Sequence, residues 1–273
     1  MIISKKNFIT SLLGVVLFLV LFFGCAEYQN QINDSSDSKA DNVSIISYCA
    51  KEKSEENRIF FSYPQFKETV PNAEKMNGLI LEFVDMTLQI MDGGFNGKLK
   101  DSPENWNWNE DDYTLQAMEI SYIITRNDSD YISIAFDGEF YHKMLPHPIQ
   151  CFYSITLDKI NEKTVFIDDL YRIDDDFVKL FQRKINELAR EGLAKRFQAL
   201  PEDIPDDIVQ YVLESFSDAK LHEIKECFTS DNGYSYPFFL TDDSVGISIP
   251  QIFAIGGHFE ILITYEELMP FAL

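Results

Sequence analysis

The sequence predicts an α+β protein in which antiparallel meander sheets pack against a few helices. Three consecutive segments alternate apolar and polar residues and are joined by short loops. Two long segments instead repeat their apolar residues every three or four positions. Strands and helices follow no regular βαβ alternation, which argues against a doubly wound sheet.

In chain order, Val43 to Cys49 and Arg58 to Phe66 read as strands, the second with Pro64 marking an edge or a bulge. Pro71 and Asn72 open a helix whose inward face is Met76, Leu79, Ile80, Phe83, Thr87, Ile90 and Met91, ended by Gly93-Gly94. Residues 95–112, with Trp106, Trp108 and an Asn-Glu-Asp-Asp run, form a loop leading into a sheet. Tyr113 to Ile124, Tyr131 to Tyr141 and Gln150 to Asp158 then make the meander, because parallel pairing needs long crossovers. Asp174 to Asp176 cap the longest helix, whose apolar face is Phe177, Leu180, Phe181, Ile185, Leu188 and Leu193. Shorter helices follow at Asp206 to Ser215 and Ala219 to Glu226. Tyr236 to Thr241, Val245 to Pro250 and His258 to Thr264 close the chain as strands, with Gly256-Gly257-His258 turning into the last.

The N-terminus carries the layout of a signal peptide: Lys5 and Lys6, then an apolar run from Leu12 to Phe23, then polar sequence. Counted even from Phe8 the run falls short of the roughly 20 residues that span a bilayer comfortably. Leu21-Phe22-Phe23-Gly24-Cys25 looks like a bacterial lipobox, making Cys25 the lipidation site, although Phe22 and Phe23 depart from the usual pattern. An ordinary secretory signal and an uncleaved anchor remain open, and all three export the chain. The organisation expected is a lipoprotein signal peptide at 1–24, a tether at 25–42, a strand-helix subdomain at 43–112 and an α+β domain at 113–273. Lipidation leaves Cys49, Cys151 and Cys227, either as one disulfide and a thiol or as buried free cysteines on strand-like segments.

The chain has 273 residues, 45% of them hydrophobic, so it can bury a core and is not disordered. Its 45 acids against 23 bases give a net charge of -22, which repels nucleic acid and favours basic partners. Residues 1–24 hold two Lys and no acid, so their removal takes the charge to -24. No cofactor or metal is expected: His142, His147 and Asp137 have a spacing that fits neither face of a regular helix, and no Cys pair has zinc spacing. Metalloprotease, nucleophile-elbow and phosphate-loop motifs are missing. Acid pairs such as Asp168-Asp169, Asp206-Asp207 and Asp242-Asp243 fall at turns and helix starts, where capping explains them.

Residues 131–189, which include His147-Pro148, and residues 236–271 resemble a paired extracytoplasmic module found in RsiV-like anti-sigma factors and PdaC-like peptidoglycan deacetylases. With residues 43–91 the resemblance covers nearly all of 43–273, but Met144-Leu145-Pro146 stands where that loop often has glycines. A cytoplasmic domain before the apolar run and a catalytic domain after the module are both missing from the sequence, so the expectation is the exported module alone. The resemblance implies capture of a cationic muramidase such as lysozyme, as receptor or inhibitor, by a protein that is not an enzyme. Tyr141, His142, His147, Trp106 and Trp108 are the candidate partner-binding residues. A second reading is an envelope glycan binder stacking sugars on the Trp and Tyr side chains; a third is a hydrolase using paired acids. An acidic surface that serves solubility alone is the plain alternative to all three.

Overall fold

The computed structural model describes residues 43–51, 58–92, 115–142, 147–217, 220–229, 236–250 and 257–273. Cys25, Trp106, Trp108, the 95–112 loop and the expected signal and tether segments lie outside them. Residues Asn42–Leu273 form one compact unit.

A six-stranded sheet runs in chain order: β1 (Val43–Lys51), β2 (Arg58–Phe66), β3 (Leu115–Asn127), β4 (Tyr131–His142), β5 (Ile149–Asp158) and β6 (Lys163–Val165). All neighbours are antiparallel except β2 and β3, which pair in parallel from Arg58–Phe61 to Ala117–Ile120. That pair spans the 112/113 boundary drawn from the sequence, across a connection that contains helix α1 (Ala73–Asp92). The meander β3–β4–β5 forms as the alternation predicts, and its first turn is held by Asp128, whose Oδ1 accepts from the backbone N–H of Asp130 and Tyr131 at 2.8 Å each. Pro64 sits in an interior strand and not at an edge. Proline is tolerated because the parallel ladder to β3 has ended at Phe61, leaving Pro64 opposite Ile45 of β1 alone.

Helix α1 covers one face of this sheet. Met76, Ile80 and Val84 meet Phe61, Met118, Ile120, Ile132, Ile134, Phe136 and Leu157 in a first core. Phe61 and Phe136 are wholly buried with ring centroids 5.8 Å apart, and each such side chain stabilises the fold by roughly 1.5–3 kcal/mol.

The other face of the sheet meets a second, three-stranded antiparallel sheet: β7 (Phe238–Leu240), β8 (Ser244–Pro250) and β9 (His258–Thr264). Small and polar residues, with the Phe152 and Phe239 rings 5.8 Å apart between centroids, line this junction. The Ser133 hydroxyl lies 2.9 Å from that of Thr156 and accepts from the Leu240 N–H at 2.9 Å, while the Ser154 hydroxyl donates to the Phe238 carbonyl at 2.7 Å. Buried hydroxyls thus satisfy main-chain groups of β7 that no strand of its own sheet reaches.

The far face of β8 and β9, with Val245, Ile247, Ile249, Phe259, Ile261 and Ile263, packs on α3 (Asp175–Phe197) in a second core. Asp174 caps α3 by accepting from the N–H of Asp176 and Phe177, and Gln198 ends it in the left-handed conformation at φ 51°. Short helices α2 (Ile167–Leu170), α4 (Asp206–Glu214), α5 (Leu221–Glu226) and α6 (Tyr265–Leu268) complete the fold. The observed order of layers is therefore helix, sheet, sheet, helix, an α+β architecture. Cys151 and Cys227 are free thiols. Cys151 is buried on β5, as one of the two sequence alternatives has it, whereas Cys227 caps the C-terminus of α5 and is only half-buried.

Candidate functional site

Strand periodicity places the polar side chains of the six-stranded sheet on the face away from α1. On β4 the residues Ile132, Ile134, Phe136 and Phe140 enter the first core, so Asp137, Glu139 and Tyr141 take the opposite face. The three-stranded sheet covers only part of that face, and Asp137 keeps half of its side chain exposed.

The register puts Glu139 directly opposite Glu119 of β3 on one side and Gln150 of β5 on the other. Like charges directly opposite each other in an antiparallel pair repel. Asp137 lies two residues along on the same face, opposite Ser121 and Phe152. Tyr141 is partly exposed, and its hydroxyl donates to Glu139 Oε1 at 2.5 Å.

The wall of this acid face comes from α3 and β9. In the last turn of α3, Arg196 Nη1 lies 3.2 Å from Asp137 Oδ2, and its Nη2 donates to Gln150 Oε1. Gly257, at φ 74°, turns the chain into β9. His258 and Glu260 then face the six-stranded sheet while Phe259 and Ile261 face α3. His258 is 3% exposed, and its ring packs on Phe152 with centroids 5.1 Å apart. Its Nε2 lies 3.1 Å from Glu260 Oε1 and 3.7 Å from Asp137 Oδ1. Among the described residues neither ring nitrogen has an aligned hydrogen bond, so the contact with Glu260 is a close approach off the hydrogen-bond axis. Buried imidazoles are ordinarily satisfied, and one set between two carboxylates with Nδ1 unmet among the described residues is an exception that asks for a role.

Electrostatics agree with this geometry. Burial pushes the Glu260 carboxyl up, but His258, with Lys195 and Arg196 further off, more than offsets it and holds it below its ordinary 4.5. On the core side of the same sheet, burial, with Asp137 adding to it, pushes the Cys151 thiol up to about 12. That thiol stays protonated and is a poor nucleophile near neutrality.

Of the residues singled out from sequence, Tyr141 lies on the acid face. His142 ends β4. His147 is exposed just before β5 and is not assigned to the face. Asp137, read from sequence only as a third partner to His142 and His147, meets Arg196 and His258 instead. Among the described residues no group of three His, Cys, Asp or Glu side chains can hold a metal ion. Sequence reasoning missed Glu119, Glu139, Arg196, Glu260 and the role of His258. A usable signal was present in His258-Phe259-Glu260-Ile261, where polar residues alternate with core residues in a strand between Gly257 and a capped helix.

The molecule is thus an α+β protein with an acid face on its larger sheet. No protein-family model matches the chain, and no curated protein matches it. Among solved structures it is similar to a DUF3298 family protein from Pseudomonas aeruginosa PAO1, with 10% identity and a TM-score of 0.48, over 85% of this chain and 95% of that one. It is also similar to a DUF3298 family member from Bacteroides fragilis NCTC 9343, with 12% identity and a TM-score of 0.45, over 85% and 94%. Likenesses this distant carry no argument about the chain, and the α+β assignment rests on the strand pairing and packing described above.

Proposed function

We propose that this chain is an exported, envelope-anchored binding module, not an enzyme, that captures a cationic protein on its acid face. The observation that carries the reading is the direct opposition of Glu119 and Glu139 with Asp137 beside them. A basic surface docking there meets three carboxylates displayed side by side on neighbouring strands, and complementary charge favours its approach. The net charge of -22 raises encounter rates with such a partner over the whole surface. Cys25 as lipid attachment site and residues 25–42 as tether belong to the same proposal. The sequence resemblance to RsiV-like modules makes a basic muramidase the partner to try first.

The test is titration of the full chain, held in nonionic detergent, with a basic lysozyme at about 0.05 M and about 0.15 M salt, with an acidic protein of equal size as control. Saturable binding that persists at the higher salt, and that weakens in a Glu119→Gln/Glu139→Gln double variant, is expected. Equal binding by that variant, or none by the parent, rejects the face as the docking surface.

A further inference from the structure

We propose that the acid face takes up its cationic partner in competition with a proton on His258, an inference that rests on the cation-binding reading above. His258 is the one side chain at the face that is almost wholly buried and has a ring nitrogen without a partner among the described residues. Imidazole is the side chain whose charge changes between about pH 5 and pH 8.

The groups around it decide what that charge does. Facing His258 are Asp137 from β4 at 3.7 Å and Glu260 from its own strand at 3.1 Å. From β5 comes Phe152, an uncharged wall, while the neighbouring Cys151 points to the other face of the sheet and its buried thiol stays neutral. From α3 come Arg196, already on Asp137, and Lys195, which acts on Glu260. Glu139 lies two residues from Asp137 on the same strand face.

A proton on the ring gives Glu260 and Asp137 a positive charge between them. Together with Arg196 and Lys195, it then offsets much of what Asp137 and Glu260 present to an incoming cation. Release of that proton to solvent leaves the same two carboxylates less compensated, and the face becomes more negative by one charge. No bond other than N–H changes. An arriving ammonium or guanidinium supplies the positive charge that the proton supplied before, so the two compete for one place in the electrostatic balance. Because the ring is buried while Asp137 is half exposed, the partner never has to touch His258 to displace its proton.

The experiment uses the full chain in nonionic detergent and a decalysine peptide as the probe, at constant ionic strength, at about pH 5.5 and about pH 8. Affinity is expected to be on the order of fivefold higher at the upper pH, the scale of one unit charge acting near a protein surface. Calorimetry in two buffers of different ionisation heat counts the protons released by the unaltered protein, and net release is expected. His258→Gln, checked for native circular dichroism, is expected to bind at the lower pH as tightly as the parent does at the upper one. It also separates His258 from the exposed His147 and His222, which stay in place. A pH-independent affinity, no proton release, or an unchanged profile in His258→Gln overturns the linkage while leaving the cation-binding reading standing. Absence of peptide binding at either pH overturns both.

Discussion

Gly138 stands between two acids of the face, Asp137 and Glu139, and its own missing side chain points the other way. A Cβ there would sit 2.2 Å from the Glu119 carbonyl oxygen and 2.7 Å from the Ile120 Cα, both main-chain atoms that cannot step aside. Gly138→Ala is expected to destabilise the fold by about 1–3 kcal/mol in urea titration, through strain at the β3–β4 ladder. Asp137→Asn is expected to behave in the opposite way. Its carboxylate is half exposed, so losing the Arg196 pair should cost less than about 1 kcal/mol of stability. Binding of a cationic probe should nevertheless weaken, and a variant that binds fully would remove Asp137 from the face. Little of this was legible beforehand. Gly256-Gly257-His258 reads as a turn, which Gly257 does form, but nothing local announces that the histidine following it is buried against a carboxylate some 120 residues earlier in the chain.

Helix α1 shows the same division at the scale of an element. Its extent, its contact with a sheet and the burial of Met76, Ile80 and Thr87 follow from apolar residues at spacings of three and four, whereas the wholly buried Val84 falls outside the expected face and the side chains of Ile90 and Met91 lie outside the described residues. Two other features do not. Gly78 lies within the helix where an added Cβ would meet nothing within 4 Å. Gly78→Ala is therefore expected to raise stability by about 0.5–1 kcal/mol, read as a higher midpoint of thermal unfolding. Asn77 clamps the end of β2: its Oδ1 accepts from the Phe66 N–H at 2.7 Å and its Nδ2 donates to the Phe66 carbonyl at 2.9 Å. The amide thereby serves as a strand partner where the ladder to β3 has stopped. Asn77→Ala should cost about 1–3 kcal/mol, because two part-buried main-chain groups lose their partners. The meander was legible because its period belongs to each strand separately. The parallel β2–β3 pair was not, since register between segments separated by a helix is set by the core they share and leaves no mark in either segment.

For the molecule as a whole, charge sets the acid limit of stability. Burial raises Asp128, Asp158 and Glu260, but hydrogen bonds and neighbouring cations outweigh it, and all three lie below their ordinary 3.8, 3.8 and 4.5. Carboxyls depressed in the folded state add stability that is complete above those ordinary values and is lost as pH falls through the depressed ones. Thermal midpoints should therefore hold steady on the alkaline side of about pH 5 as far as Asp128 and Asp158 decide, and drop as the solution is acidified through pH 4 and below. Midpoints that rise on acidification would contradict the assignment of these carboxyls as stabilising.

The seam between β2 and β3 also sets the order in which the large sheet comes together and apart. Strands β1 and β2 close on each other through a short connection, and β3, β4 and β5 do the same, but among the described residues the two groups share a ladder of four residue pairs, backed by the core that Phe61 enters. Closing the long segment 67–114 costs entropy before those pairs return anything, so the pairing belongs to a late step of folding. The same four pairs are a place where the sheet can part under load. Tension applied from the N-terminal side, as by a chain tethered to a membrane, enters at β1 and reaches this seam next. Parting the sheet there also draws Phe61 off Phe136, so the hairpin leaves only as the first core opens.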